Sequence, residues 1–178
     1  MNRGEKSSPI RVYGKKMQEA LPSDPLARVC ALLNKAGARY LVVGAQACIL
    51  HGLVRTTEDV DILIEETEEN FHRVIQGLSG LADHAAAELT PADLRENAVV
   101  KIADEIEVDV SRRAWNVAYS DASATALTTE IEGIPIPYAA LHTLIESKKT
   151  YRDRDRADLL QLLHLEQQVR GGRQPPQT

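Results

Sequence analysis

Residues 59–64 read Asp-Val-Asp-Ile-Leu-Ile, and no other stretch restricts the fold as much. Its aliphatic, β-branched composition is that of a strand, and a strand turns successive side chains to opposite faces. Val60, Ile62 and Ile64 then share one face, which must be core. Asp59 and Asp61 share the other. Aspartate is disfavoured in strands, and two carboxylates at i and i+2 repel each other when both are ionised. The fold has to bring something to that face to balance them. A divalent cation is one such group, and a donor set made only of oxygen favours Mg2+ or Mn2+.

The pattern recurs downstream. Residues 98–103 and 106–110 read as a hairpin turning at Asp104-Glu105, and in its second arm Val108 and Val110 point one way while Glu107 and Asp109 point the other. If that arm lies beside residues 59–64, Asp109 joins Asp59 and Asp61. Three carboxylates on adjacent strands can hold two metals about 3.5–4 Å apart, an arrangement suited to in-line phosphoryl displacement. The alternative is that these are solvent-facing acids on an edge hairpin. A calcium-binding EF-hand loop is excluded, because the loop glycine and the distal glutamate are missing at the required spacing.

Fifteen residues before Asp59, Gly44 ends the β-rich run 39–44 and opens a helical stretch, 45–53. A strand–glycine–helix turn of this kind lets backbone N–H groups approach a phosphate, although it also serves as an ordinary connection. Arg55 lies between that helix and the acidic strand, where it can balance carboxylates or hold a phosphate through two parallel bonds. Lys148 and Lys149 close a later helix, where cations suit the dipole. The run Arg152-Asp153-Arg154-Asp155-Arg156 reads most simply as a self-paired, solvated face. His51, among apolar neighbours and before Gly52, reads as structural. Cys30 and Cys48 sit in apolar stretches and read as small buried hydrophobes. With no CxxC pair and no Cys/His cluster at zinc spacing, a reducing, cytoplasmic location is the expectation.

The remaining elements follow from periodicity. Asp24-Pro25 starts a helix with the stripe Leu26, Val29, Cys30, Leu33, stopped at Gly37. Thr67 caps a helix with the stripe Phe71, Val74, Ile75, Leu78, Leu81. Thr90-Pro91-Ala92-Asp93 resembles a capping box. Residues 114–124 have no clear period and are compatible with helix. Residues 127–136 read as a strand broken at Gly133, and two helices follow at about 139–149 and 153–168, the second carrying Leu159, Leu160, Leu162 and Leu163. The whole predicts an α/β (α+β) domain over residues 23–169, with a small mixed sheet, flanking helices and a helical C-terminal cap. Residues 1–22 read as a flexible arm and 170–178 as a disordered tail.

Composition enters at the level of class. With 178 residues, 43% hydrophobic and 26% charged, the chain suits one soluble domain. No apolar run reaches a membrane-helix length, and residues 1–17 lack the apolar core of a secretory signal. The net charge of −5 argues against a polyanionic partner, but it is unevenly placed. Residues 29–147 carry eight basic and 19 acidic side chains, whereas 1–28 carry six basic and three acidic, and 148–178 seven basic and four acidic.

Taken together, Val43-Gly44-Ala45-Gln46-Ala47, His51-Gly52 and Arg55-Thr56-Thr57-Glu58-Asp59-Val60-Asp61-Ile62-Leu63-Ile64 resemble the core of the nucleotidyltransferase (DNA polymerase β-like) superfamily. Within it the pattern is most similar to the branch of AbiEii-like toxins of type IV toxin–antitoxin systems and related small bacterial nucleotidyltransferases. Asp109 stands where that branch has a later strand aspartate. Lys148 matches its helix lysine, and Arg154-Asp155-Arg156-Ala157-Asp158-Leu159 its Asp-rich helix start. The resemblance covers about residues 25–168. It implies a Mg2+- or Mn2+-dependent transfer of a nucleoside monophosphate from an NTP to an acceptor hydroxyl, releasing pyrophosphate. Asp59, Asp61 and Asp109 would be catalytic and ligate metal. Gly44 and Ala45 would cradle the triphosphate, with Arg55 and Lys148 on phosphates. The superfamily turn is most often Gly-Gly or Gly-Ser, and here it is Gly44-Ala45, which lacks a hydroxyl donor but keeps its backbone N–H groups. The acceptor is expected to be tRNA or other RNA, a partner protein or a small molecule, with the basic ends favouring the first two. The short cap leaves acceptor binding either to a homodimer or to an acceptor that brings its own surface. The competing expectation is an inactive nucleotide- or partner-binding module, antitoxin-like or regulatory, in which Asp109 points away from Asp59 and Asp61.

Overall fold

The computed structural model of the chain describes residues 20–149 and 153–171. Helix α1 (Pro25–Lys35) begins as its sequence predicts: the Asp24 carboxylate accepts the Ala27 N–H, Pro25 sits in the first turn, and Leu26, Val29, Cys30 and Leu33 are buried. Gly37, at a φ of 67°, turns the chain into β1 (Tyr40–Val42), buried at all three positions. Helix α2 (Gly44–Leu50) follows directly, then β2 (Asp59–Ile64) and α3 (Glu68–Leu78), whose cap Thr67 accepts the Asn70 N–H. Fully buried Asn70 accepts the Arg39 N–H and donates to the Arg39 and Glu65 carbonyls. It thereby ties the start of β1 to the end of β2.

Beyond a short 3-10 turn, α4 (Pro91–Glu96) lies behind the predicted capping box of Thr90 and Asp93. The hairpin of β3 (Val99–Ile102) and β4 (Glu107–Ser111) comes next. A two-stranded ribbon of β5 (Arg113–Ala114) and β6 (Val117–Ala118) leads to the single-turn helix α5 (Tyr119–Ser123). The hairpin β7 (Leu127–Ile131) and β8 (Ile134–Tyr138) follows, then α6 (Leu141–Ser147) and α7 (Asp153–Gly171).

Six strands form one mixed sheet in the order β3-β4-β2-β1-β8-β7. The two parallel pairings are β2 with β4 and β1 with β8, and the others are antiparallel. This is the mixed α/β architecture expected from the sequence. One core joins Val60, Ile62 and Ile64 of β2 to Leu33 of α1 and to Val74 and Leu78 of α3. Leu63 is buried too, so the β2 face that carries Asp59 and Asp61 becomes core one step further on.

Some elements differ from expectation. Residues 114–124 hold the β5–β6 turn and one helical turn rather than a longer helix. The break at Gly133 is the tight turn of the β7–β8 hairpin, with Glu132 and Gly133 at φ values of 50° and 78°. Glutamate tolerates that conformation because its carboxylate is fixed, accepting the N–H and hydroxyl of Ser23 and the N–H of Asp24. Helix α7 runs on to Gly171, past the expected start of the tail, and of its leucine stripe only Leu162 is buried: Leu159 is half-buried, Leu163 exposed and Leu160 70% exposed. Most of the expected arm (1–19) and tail (172–178) lies outside the described residues. Among the described residues, no helix is long and apolar enough to cross a membrane.

Candidate active site

Strand register builds the site. Parallel pairing of β2 with β4 sets Asp61 opposite Asp109 and Asp59 opposite Glu107, while antiparallel pairing of β4 with β3 sets Lys101 opposite Asp109. Directly opposed residues share a face, so Asp61, Asp109 and Lys101 form one row across three strands. Each of Asp59, Asp61 and Asp109 offers an oxygen, and these three atoms lie within 4.8 Å of one another. The expected third carboxylate therefore does join the first two.

The cluster is under electrostatic stress. Burial first, then the charges of Asp59 and Asp109, push the Asp61 carboxyl up to about 6, with a backbone hydrogen bond from Ala45 and the charge of Lys148 pulling the other way. The Thr57 hydroxyl donates to Asp59. The Lys101 ammonium donates to both oxygens of Asp109, at 2.9 and 2.6 Å, and lies 3.8 Å from Glu107. Its hydrogen bond to Asp109 raises the Lys101 pKa.

Gly44 has two reasons to be glycine. Its φ is 59°, and a Cβ built on it would lie 2.0 Å from Asp61 Oδ2. The turn thus presses backbone against the central carboxylate, with the Ala45 N–H already directed at it. His51, at the end of α2, bonds the Ala139 carbonyl through Nε2 at 2.9 Å and meets Tyr138 edge-on at 5.1 Å. It anchors the turn to β8, a structural role. Cys48 is buried, which raises its thiol pKa, as is Cys30, at about 12.

Helices α6 and α7 close the cleft. Lys148 Nζ donates to Asp155 Oδ1 at 3.0 Å and lies 2.8 Å from Asp158 Oδ2, which also accepts from Arg55 at 2.8 Å. Burial alone would lower the Lys148 pKa, but the bonds to Asp158 and Asp155 outweigh it and raise it. The self-paired, solvated reading of 152–156 fails at Asp155, which is only 7% exposed and turned inward to Lys148. Both predicted cations reach the site, each already engaged by α7.

Gly44, Ala45, Arg55, Asp59, Asp61, Asp109 and Lys148 all border one cavity of about 320 Å3, together with Thr57, Lys101, Asp155 and Asp158. Five carboxylates face three cations there, an excess of two negative charges. An all-oxygen donor set with that excess fits a hard divalent cation. Sequence reasoning gave no role to Lys101, and gave Asp155 and Asp158 only a place in an Asp-rich helix start, not in the site. Counting back across the 98–110 hairpin from a turn centred on Glu105 would have found Lys101. The i, i+3 acidic pair at 155 and 158, one helical face beside Lys148, would have found the others.

The sequence matches no protein-family model, and no curated protein is similar enough to count as a relative. Among the solved structures that resemble the fold are two from different organisms. One is a protein from Thermotoga maritima described, provisionally, as a nucleotidyltransferase, at 16% identity over 81% of this chain and 91% of that one, with a TM-score of 0.49. The other is an antigenic nucleotidyltransferase-like protein from Paracoccidioides brasiliensis, at 20% identity over 82% and 78%, with a TM-score of 0.48. The functional reading rests on the carboxylates and their cleft.

Proposed function

We propose that this chain transfers a nucleoside monophosphate from a nucleoside triphosphate to an acceptor hydroxyl. The observation that carries the reading is the convergence of Asp59, Asp61 and Asp109 within 4.8 Å on adjacent strands, facing a cleft that also holds a glycine turn and paired cations. Asp59 and Asp61 would hold Mg2+ or Mn2+, with Asp109 sharing it. When bound, the cation would supply neutralisation of phosphate charge and a fixed geometry for in-line displacement.

The chain's own groups account for the rest. The acceptor oxygen attacks the α-phosphorus, the bond from that phosphorus to the α–β bridging oxygen breaks, and pyrophosphate leaves. The acceptor's proton passes to a carboxylate oxygen of Asp109, which the β2–β4 register places beside Asp61. The Gly44–Ala45 turn would lie against the phosphates, with the Ala45 N–H, which bonds Asp61 here, holding that carboxylate beside them. An ammonium has three donors, so Lys148 keeps one for a phosphate oxygen after serving Asp155 and Asp158. Arg55 likewise has donors beyond the one given to Asp158. The two α7 carboxylates hold both cations toward the cleft. The order Lys148, Asp155, Asp158 supports the AbiEii-like branch, and with it a toxin–antitoxin setting and an RNA or protein acceptor.

The test is incubation of the full chain with each α-labelled NTP, Mg2+ or Mn2+, and a cell extract. Metal-dependent label in RNA, protein or a small molecule, lost in Asp59→Asn, is the expected result. NTP binding without transfer under any of these conditions would overturn it in favour of a binding module.

A further inference from the structure

Beside the carboxylates the cleft opens into a larger cavity of about 490 Å3, which shares Gly44, Asp61, Lys148 and Asp155 with the first. That volume is in the range of small-molecule sites, roughly 300–1,000 Å3. Its walls differ in kind. Here the carboxylates give way to Val43, Val99, Ala114 and Trp115, with Arg112 and Arg113 beside them. Val99 and Trp115 are 48% and 40% exposed, two of the few large apolar side chains left open among the described residues.

Trp115 is also in the wrong conformation for its type. It follows β5 in the two-residue turn to β6, at a φ of 58°. Glycine, asparagine and aspartate take such positions, and bulky residues rarely do. Asn116 stands next in the chain, yet the left-handed residue is the tryptophan. Local strain of this order costs about 1–3 kcal/mol, and it falls on a part-exposed indole that lines a cavity shared with Asp61. Arg112 is held in place, donating to the Asn97 carbonyl and to Glu66.

We infer that this cavity receives a nucleobase stacked on the Trp115 indole, with its phosphate end toward Asp61 and Lys148. The inference rests on the nucleotidyl-transfer reading and deepens it. Aromatic faces and guanidinium planes are the usual platforms for bases. The base belongs either to the donor NTP or to the terminal nucleotide of a nucleic-acid acceptor, and the chemistry at Trp115 is the same for both.

Trp115 is the chain's only tryptophan, so its fluorescence reports the contact directly. The full chain is titrated in Mg2+ with ATP, with inorganic tripolyphosphate and with a short RNA bearing a free 3′-hydroxyl, while calorimetry follows binding. Quenching by ATP but not by tripolyphosphate assigns the base to the donor. Quenching by the RNA alone assigns it to the acceptor. Trp115→Gly, which suits the left-handed turn, is expected to keep its melting temperature and to weaken binding of the quenching ligand roughly 5- to 150-fold, the loss of one stacked base. Tripolyphosphate affinity should stay unchanged, and Trp115→Phe should restore most of the loss. Binding of ATP and RNA with no change in Trp115 emission would overturn the inference and leave the transfer reading standing. Absence of all binding, tripolyphosphate included, would overturn both.

Discussion

Replacing Asp61 with asparagine separates the cost of the carboxylate cluster from its use. The folded-state pKa of Asp61 is raised from 3.8 to about 6, so the folded chain holds this proton more tightly than the unfolded one. Its stabilising effect is fully present below the unfolded value near 3.8 and is lost as the pH rises through 6. At about 1.4 kcal/mol for each tenfold change in proton affinity, ionised Asp61 costs the fold about 3 kcal/mol above that point. Asparagine has the same shape, still accepts the Ala45 N–H, and turns an amide donor toward Asp59 and Asp109. In a chelator at neutral pH, Asp61→Asn should therefore be up to about 3 kcal/mol more stable than the parent, with the difference shrinking toward pH 4. The assay is urea unfolding of both proteins across that range. Mg2+ should then raise the parent's stability, by about 2.7 kcal/mol at a concentration 100-fold above its dissociation constant, and leave the variant unmoved. A variant that is less stable than the parent in chelator, or a difference independent of pH, would refute the reasoning.

Three further perturbations address the surrounding groups. Gly44→Ala places a methyl group against Asp61 Oδ2 at a positive φ and should cost about 1–3 kcal/mol in denaturant unfolding, with loss of the Mg2+ response; a neutral effect would remove the glycine turn from the site. Lys101→Met withdraws the ammonium from Asp109. It should lower stability in chelator yet bring the Mg2+ midpoint in a thermal-shift titration to a lower concentration, because the cation no longer competes with Lys101; a higher midpoint would show that Lys101 assists binding. Lys148→Met withdraws the ammonium that pairs with both Asp155 and Asp158, and should cost about 3 kcal/mol, largely recovered when Asp155→Asn is added.

Legibility from sequence followed from how local each cause is. The capped starts of α1, α3 and α4 depend on neighbours three residues apart, and all three occur where Asp24, Thr67 and Thr90 predict. The facing of Asp59 and Asp61 follows from the two-residue period of a strand. Their union with Asp109 needed an assumption about strand order, which no local pattern supplies. The hairpin at Glu132-Gly133 was obscured because a glutamate takes a glycine-like conformation there, its carboxylate held by Ser23 and Asp24, 109 and 108 residues away. The burial of Asp155 was hidden for the same reason. Its charged run suggests solvent, and only the packing of α7 on α6 turns it toward Lys148.

The cleft's charge is arranged in two layers with different partners. On the sheet, Lys101 is the close cation of Asp109 alone among the three carboxylates, and it is 64% exposed at its side chain. A solvated pair of that kind is weak and readily displaced. On the helical cap, Asp155 and Asp158 hold Lys148 and Arg55, and Lys148 is only 15% exposed, so that layer is hard to rearrange. The sheet layer is thus the one able to exchange its cation, and the cap layer the one able to keep positive charge facing it. Ionised Asp61 opposes folding, because the Ala45 N–H and the Lys148 charge offset only part of the cost of its burial beside two other carboxylates. On the proposed reading, the sheet carboxylates would hold an exchangeable cation and the cap lysine would face an anion above it, the disposition a metal-bound triphosphate requires.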